Sequence, residues 1–225
     1  MTRAPRIALV CATAAAVAPA RAAILDQAPT ADVWTLLDDR LFTDARDAHS
    51  TSGPYEERFL ALLTNARLGG ADGVLVTCSL FGATALRATS GWEIPVGTSD
   101  GAVFAQVAAA GLPDITVVGS AEAPTTDAVN RLRAHLADAG SSTRVDGRAV
   151  DAALSFASAG DEEGLLHALE EGTAHVAGPI LLAQYSLGPV AERLSRARGE
   201  TVLAGPTAAA RSLLAAVHRS GRTND

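Results

Sequence analysis

Lysine is missing from this 225-residue chain, in which all 18 basic residues are arginine. The absence excludes a lysine Schiff base with pyridoxal phosphate and the phosphate-gripping lysine of a Walker loop. Cysteine is nearly missing too: Cys11 and Cys78 stand alone, without a CxxC pair. There is no HExxH, and His49, His135, His167, His175 and His218 are scattered without ligand spacing, so no zinc site is expected. A Cys11–Cys78 disulfide would need neighbouring strands, and strand ends of a cytosolic fold more often carry reduced thiols. No apolar run reaches the length of a membrane span. The net charge of −7 is dispersed over short clusters, so no nucleic-acid surface is expected either.

What the chain does have is repetition. GVLVTCSLFG (Gly73 to Gly82) returns as PILLAQYSLG (Pro179 to Gly188), with Gln184 where the first copy has Cys78. RIALVCATAAAV (Arg6 to Val17) is echoed by DITVVGSAEAPT (Asp114 to Thr125), and IPVGTSDGAVFAQVAA (Ile94 to Ala109) by TVLAGPTAAARSLLAA (Thr201 to Ala216). The offsets are 108 residues from Arg6 to Asp114, 106 from Cys78 to Gln184 and 108 from Gly97 to Gly205. Three pairs in one order at nearly one spacing indicate a duplicated half.

Within each half, short apolar runs alternate with longer helical patterns, which predicts parallel sheets flanked by helices. The expected strands are 7–11, 33–37, 73–77 and 94–96, then 115–118, 143–145, 180–183 and 201–203. Tyr55, Phe59, Leu62, Leu63 and Ala66 follow the spacing of a buried helix face behind Pro54, a residue suited to a first turn. Val129, Leu132 and Leu136 do the same after Pro124 and Thr125. The first 23 residues, with two arginines, an apolar stretch and small residues near Ala18 and Ala20, also have the look of a secretory signal. Removing them would delete the first strand of the first half, whose counterpart lies in mid-chain, so a cytoplasmic protein that keeps this segment is expected.

Strand exits in both halves are small or hydroxylic: Cys11, Ala12 and Thr13; Thr77, Cys78 and Ser79; Thr98 and Ser99; Ser120; Tyr185 and Ser186; Thr207. Carboxyl ends of parallel strands face the ligand crevice of open α/β sheets, where helix N-termini offer unpaired N–H groups to an anion. Ser and Thr are also good N-caps, which would account for any one of them.

With the duplication and the Cys78 turn, the chain resembles the aspartate/glutamate/hydantoin racemase superfamily, which includes arylmalonate decarboxylases and maleate isomerases. The resemblance implies two pseudo-symmetric α/β lobes, each a four-stranded parallel sheet flanked by helices, with the active site between them. Residues 1–97 would form the first lobe, joined by the C-terminal helix 206–225, and 98–205 the second. It further implies a cofactor-independent reaction on a small carboxylate-bearing substrate, with a cysteine at the third strand exit of each lobe flanking the α-carbon. Cys78 matches the first of these. Thr13, Thr77 and Ser79 are carried over as carboxylate contacts, and Thr98, Ser120, Gln184, Tyr185 and Ser186 would complete the substrate-binding surface.

Gln184 departs from the pattern, since an amide cannot exchange a proton at neutral pH and would serve to orient a substrate. Tyr185, a water or another acid would have to replace the missing thiol. Single-cysteine members occur in the decarboxylase branch, where the thiol protonates an enediolate left by loss of carbon dioxide; there the cysteine lies in the second half, here in the first. Three readings follow: an isomerase with Cys78 as acid/base, a lyase in which Cys78 delivers one proton, and a carboxylate-binding protein without turnover. A homo-oligomer is compatible with each. Cys11 reads as a small core filler, Asp100 as a residue at a helix start, Glu122 and His175 as exposed or structural. The segment Asp44 to Pro54, with His49, is polar enough to be a flap or an exposed connection.

Overall fold

The computed structural model describes residues 3–222, so Met1, Thr2 and 223–225, the outer ends of the expected first lobe, lie outside the described residues. The chain divides into two compact units, Met1–Ala102 with Pro206–Asp225, and Val103–Gly205.

The first unit is built on a parallel sheet of β1 (Arg6–Cys11), β2 (Asp32–Leu37), β3 (Gly73–Val76) and β4 (Val96–Thr98), in the order β2-β1-β3-β4. Ile7 to Cys11 and the whole of β3 are buried, as central strands covered on both faces require. Helix α1 (Val17–Gln27) follows β1, a short α2 (Leu41–Asp47) and the longer α3 (Pro54–Leu68) follow β2, and α4 (Gly82–Ala88) follows β3. Pro54 opens α3 as expected, behind Gly53 at φ +64°. Phe59 and Leu63 of α3 fill one side of the sheet with Val10, Val74, Val76 and Phe81. The Phe59 and Phe81 rings stack at 4.8 Å, and burying each side chain contributes about 1.5–3 kcal/mol.

The second unit repeats the plan with β5 (Asp114–Gly119), β6 (Arg144–Ala149), β7 (Ile180–Leu182) and β8 (Val202–Ala204), ordered β6-β5-β7-β8 and all parallel. Its helices follow α5 (Gly101–Ala110), which spans the boundary: α6 (Glu122–Asp138), α7 (Ala152–Ala159), α8 (Glu162–Thr173) and α9 (Ala191–Arg198). Val129, Leu132 and Leu136 form the buried face of α6, as their spacing predicts. The last helix, α10 (Gly205–Arg222), lies on the first unit's sheet. A Cβ on Gly73 would come within 2.6 Å of Val217 and 3.2 Å of Leu213, so this glycine is what lets the helix settle onto β3.

Two strands depart from their expected limits by more than one residue. β4 begins at Val96 rather than Ile94 because Pro95 has no N–H to donate; its carbonyl accepts from Val74 at 3.0 Å, and the ladder starts one residue later. β6 runs past the expected end at Val145 through Asp146, Gly147 and Arg148. It is an edge strand with an exposed face, and pairing with β5 supplies what side-chain pattern does not.

Candidate functional site

In the first unit the sheet register sets β1, β3 and β4 side by side at their carboxyl ends, with Val10 beside Val76 and Val76 beside Thr98. Thr13, Thr77, Cys78, Ser79 and Thr98 therefore belong to one edge. Thr77 is buried and tied inward: its N–H and its hydroxyl both donate to the Val10 carbonyl, at 3.1 and 3.4 Å. Cys78 comes next, half-buried and extended at φ −101°, ψ 115°, where the chain leaves β3 for the 3₁₀ turn Ser79–Phe81 and then α4. Its carbonyl closes that turn by accepting from the Phe81 N–H at 3.3 Å. The residue so positioned is partly exposed, while the strand beneath it is fully packed.

Cys11 has the opposite environment. It is wholly buried at the end of β1, and burial pushes its thiol pKa up, with a hydrogen bond to Thr77 pulling the other way. The two cysteines are not bonded to each other.

Capping does not account for the Thr13 and Ser99 hydroxyls. Thr13 precedes the 3₁₀ turn Ala14–Ala16, half-buried and extended, and its side chain makes no cap bond. Ser99, between Thr98 and the half-buried Asp100, is 2% exposed, and its Oγ has no hydrogen-bond partner among the described residues. Thr98 Oγ1 reaches toward Gly101, where a Cβ would stand only 3.0 Å away.

In the second unit, Ser120 follows β5 and Gln184 follows β7, the adjacent strand. The Ser120 N–H donates to Gln184 Oε1 at 3.0 Å, and Gln184 Nε2 donates to Ser120 Oγ at 2.9 Å. Both ends of the amide are thus engaged within the unit. Tyr185 is buried and Ser186 half-buried in the 3₁₀ turn Tyr185–Val190. Glu122 is exposed in the first turn of α6, and His175 is exposed.

The sequence reading missed a charged cluster at the β2 exit. Arg58 of α3 donates to both oxygens of Asp38, at 2.8 and 2.7 Å, and to Asp44 of α2 at 2.8 Å. The guanidinium holds both carboxyl groups below their usual range. The Phe42 N–H also donates to the Ala12 carbonyl at 3.4 Å, so α2 lies beside the β1 exit. The first part of the expected flap is therefore helix, latched by Arg58, and the chain turns back through His49 at φ +51°. Arg58 stands 20 residues from Asp38 and 14 from Asp44, separations at which no periodic signal links them.

Among the described residues no group of three or more His, Cys, Asp or Glu side chains could hold a metal ion. No helix among them is long and apolar enough to cross a membrane.

No family model and no curated protein matches the sequence. Solved structures do match the fold. A glutamate racemase isoform from Bacillus anthracis aligns over 96% of this chain and 83% of its own, with 14% identity and a TM-score of 0.67. An allantoin racemase from Klebsiella pneumoniae aligns over 96% and 89%, with 19% identity and a TM-score of 0.66. A variant of arylmalonate decarboxylase in a sulfate-associated form aligns over 95% and 94%, with 18% identity and a TM-score of 0.65. The chain thus shares the two-sheet α/β fold of these racemase and decarboxylase structures.

Proposed function

We propose that this chain is a cofactor-independent isomerase of the amino-acid racemase superfamily, with Cys78 exchanging a proton at the carbon next to a carboxylate. The observation that carries the reading is the partly exposed Cys78 at the exit of a central strand, in a fold shared with glutamate and allantoin racemases. The Cys78 thiolate takes the α-proton, and the electron pair of the broken C–H bond passes into the carboxylate as an enediolate. Return of a proton to carbon restores the acid. The Thr13, Ser79 and Thr98 hydroxyls and nearby N–H groups stabilise the enediolate, where losing one such donor costs about 10²–10³ in rate. Thr77 supports them by fixing the turn, since its hydroxyl faces Val10.

Inversion needs a second proton donor, and Gln184, at the matching exit, is bonded to Ser120 through both ends of its amide. That observation favours a second reading, a lyase. Loss of carbon dioxide from a malonate-like acid would leave its electron pair as the enediolate, Cys78 would deliver one proton to carbon, and solvent would reprotonate the thiolate.

Aspartate, glutamate, hydantoins and arylmalonates incubated in deuterated water and followed by NMR separate the readings. The isomerase gives α-deuteration, the lyase carbon dioxide release, and binding with neither leaves a carboxylate-binding protein. Cys78→Ala is expected to reduce either reaction by about 10²–10⁴; full turnover in that variant would reject both.

A further inference from the structure

The clamp between Ser120 and Gln184 fixes the direction of one hydrogen. A backbone N–H can only donate, so the amide atom facing the Ser120 N–H at 3.0 Å is the carbonyl Oε1. This leaves Nε2 facing Ser120 Oγ at 2.9 Å. Nε2 can only donate as well, so Oγ accepts and its own hydrogen points elsewhere. Among the described residues Ser120 Oγ donates no hydrogen bond, although the residue is only 2% exposed. A buried donor without an acceptor is costly and calls for a ligand or water.

The surroundings suit an anion. Ser120 lies immediately before Ala121, the N-cap of the 17-residue helix α6, and no side chain caps that helix end. Its first-turn N–H groups and its dipole favour negative charge. Gly119 allows the arrangement, because a Cβ there would meet Thr125 Oγ1 at 2.2 Å and Gln184 Oε1 at 3.3 Å.

We infer that Gln184 is a positioning residue: its carboxamide turns the Ser120 hydroxyl into a donor to a carboxylate oxygen at the head of α6. The inference deepens the proposed function, on which its choice of a carboxylate rests. It gives the residue that replaces the expected second cysteine a role acting through Ser120 and not by proton exchange.

Acetate is the probe, titrated into the whole protein while NMR follows the Ser120 amide and the Gln184 side-chain NH₂. In the wild type both signals shift saturably. Ser120→Ala weakens acetate by about tenfold or more, the range for a hydrogen bond to a charged group, and Ser120→Thr keeps the affinity. Gln184→Leu weakens acetate in the wild-type background and has no effect in the Ser120→Ala background. Independent losses, unaltered binding in Ser120→Ala, or no saturable shift in the wild type would each overturn the inference. Should Gln184→Leu not fold, neutron diffraction of the deuterated wild type reads the hydroxyl directly: a deuterium lying between Oγ and Gln184 overturns it, one directed away supports it. Because acetate binding requires no turnover, a protein that binds acetate through Ser120 but exchanges no α-proton refutes the catalytic reading alone.

Discussion

At the scale of single residues, the two cysteines illustrate how environment divides one chemistry into two behaviours. Cys11 is sealed at the end of β1, where burial raises its thiol pKa and disfavours the reactive thiolate. Cys78, just past the end of β3, is partly exposed. Iodoacetamide on the native protein is therefore expected to label Cys78 and spare Cys11 until denaturant is added, as peptide mass spectrometry would show; native labelling of Cys11 would contradict the burial described. The position of Cys78 at a strand exit was legible from sequence because an apolar strand ran directly into a small-residue turn. Ser99 and the Ser120–Gln184 clamp were not, since which hydroxyl lacks a partner depends on strands distant in sequence.

At the scale of elements, α2 is the piece whose placement depends on charge. Seven residues form a helix too short to persist alone. Arg58 tethers it through Asp44 and joins it to the β2 exit through Asp38. Arg58→Met is expected to speed amide exchange across 41–48 while exchange in α3 stays near wild type; unaltered exchange in 41–48 would show that the latch holds nothing. The sign of the pH dependence follows from the carboxyl groups. Both pKa values are lowered in the folded protein, so the tether's contribution is present above the ordinary carboxylate range and is lost as pH falls through the lowered values. The wild type should approach the variant's exchange rates in acid, and high salt should act in the same direction. The 3.6-residue pattern made α3 and α6 readable in advance, whereas α2 offered too few apolar positions to register.

At the scale of the whole chain, the last helix belongs to the first unit. Val217 and Leu213 of α10 lie over Gly73 of β3, and Leu213 also lies near Gly97 of β4. Gly73→Ala is expected to lower unfolding stability by about 1–3 kcal/mol, and adding Val217→Ala should recover part of that loss; denaturant titration of both would show it, and a single variant as stable as wild type would refute the close packing. The sequence by itself determined the duplication, the parallel α/β plan and the Cys78 turn, because strand alternation, helix periodicity and repeat spacing are local properties written along the chain. Only the tertiary structure decided that Leu213 and Val217 of α10 close on Gly73, that Arg58 latches α2, and that the amide of Gln184 closes on Ser120. Each of these joins groups far apart in sequence, and a hydrogen bond or a close contact exists only once the intervening strands have paired in register.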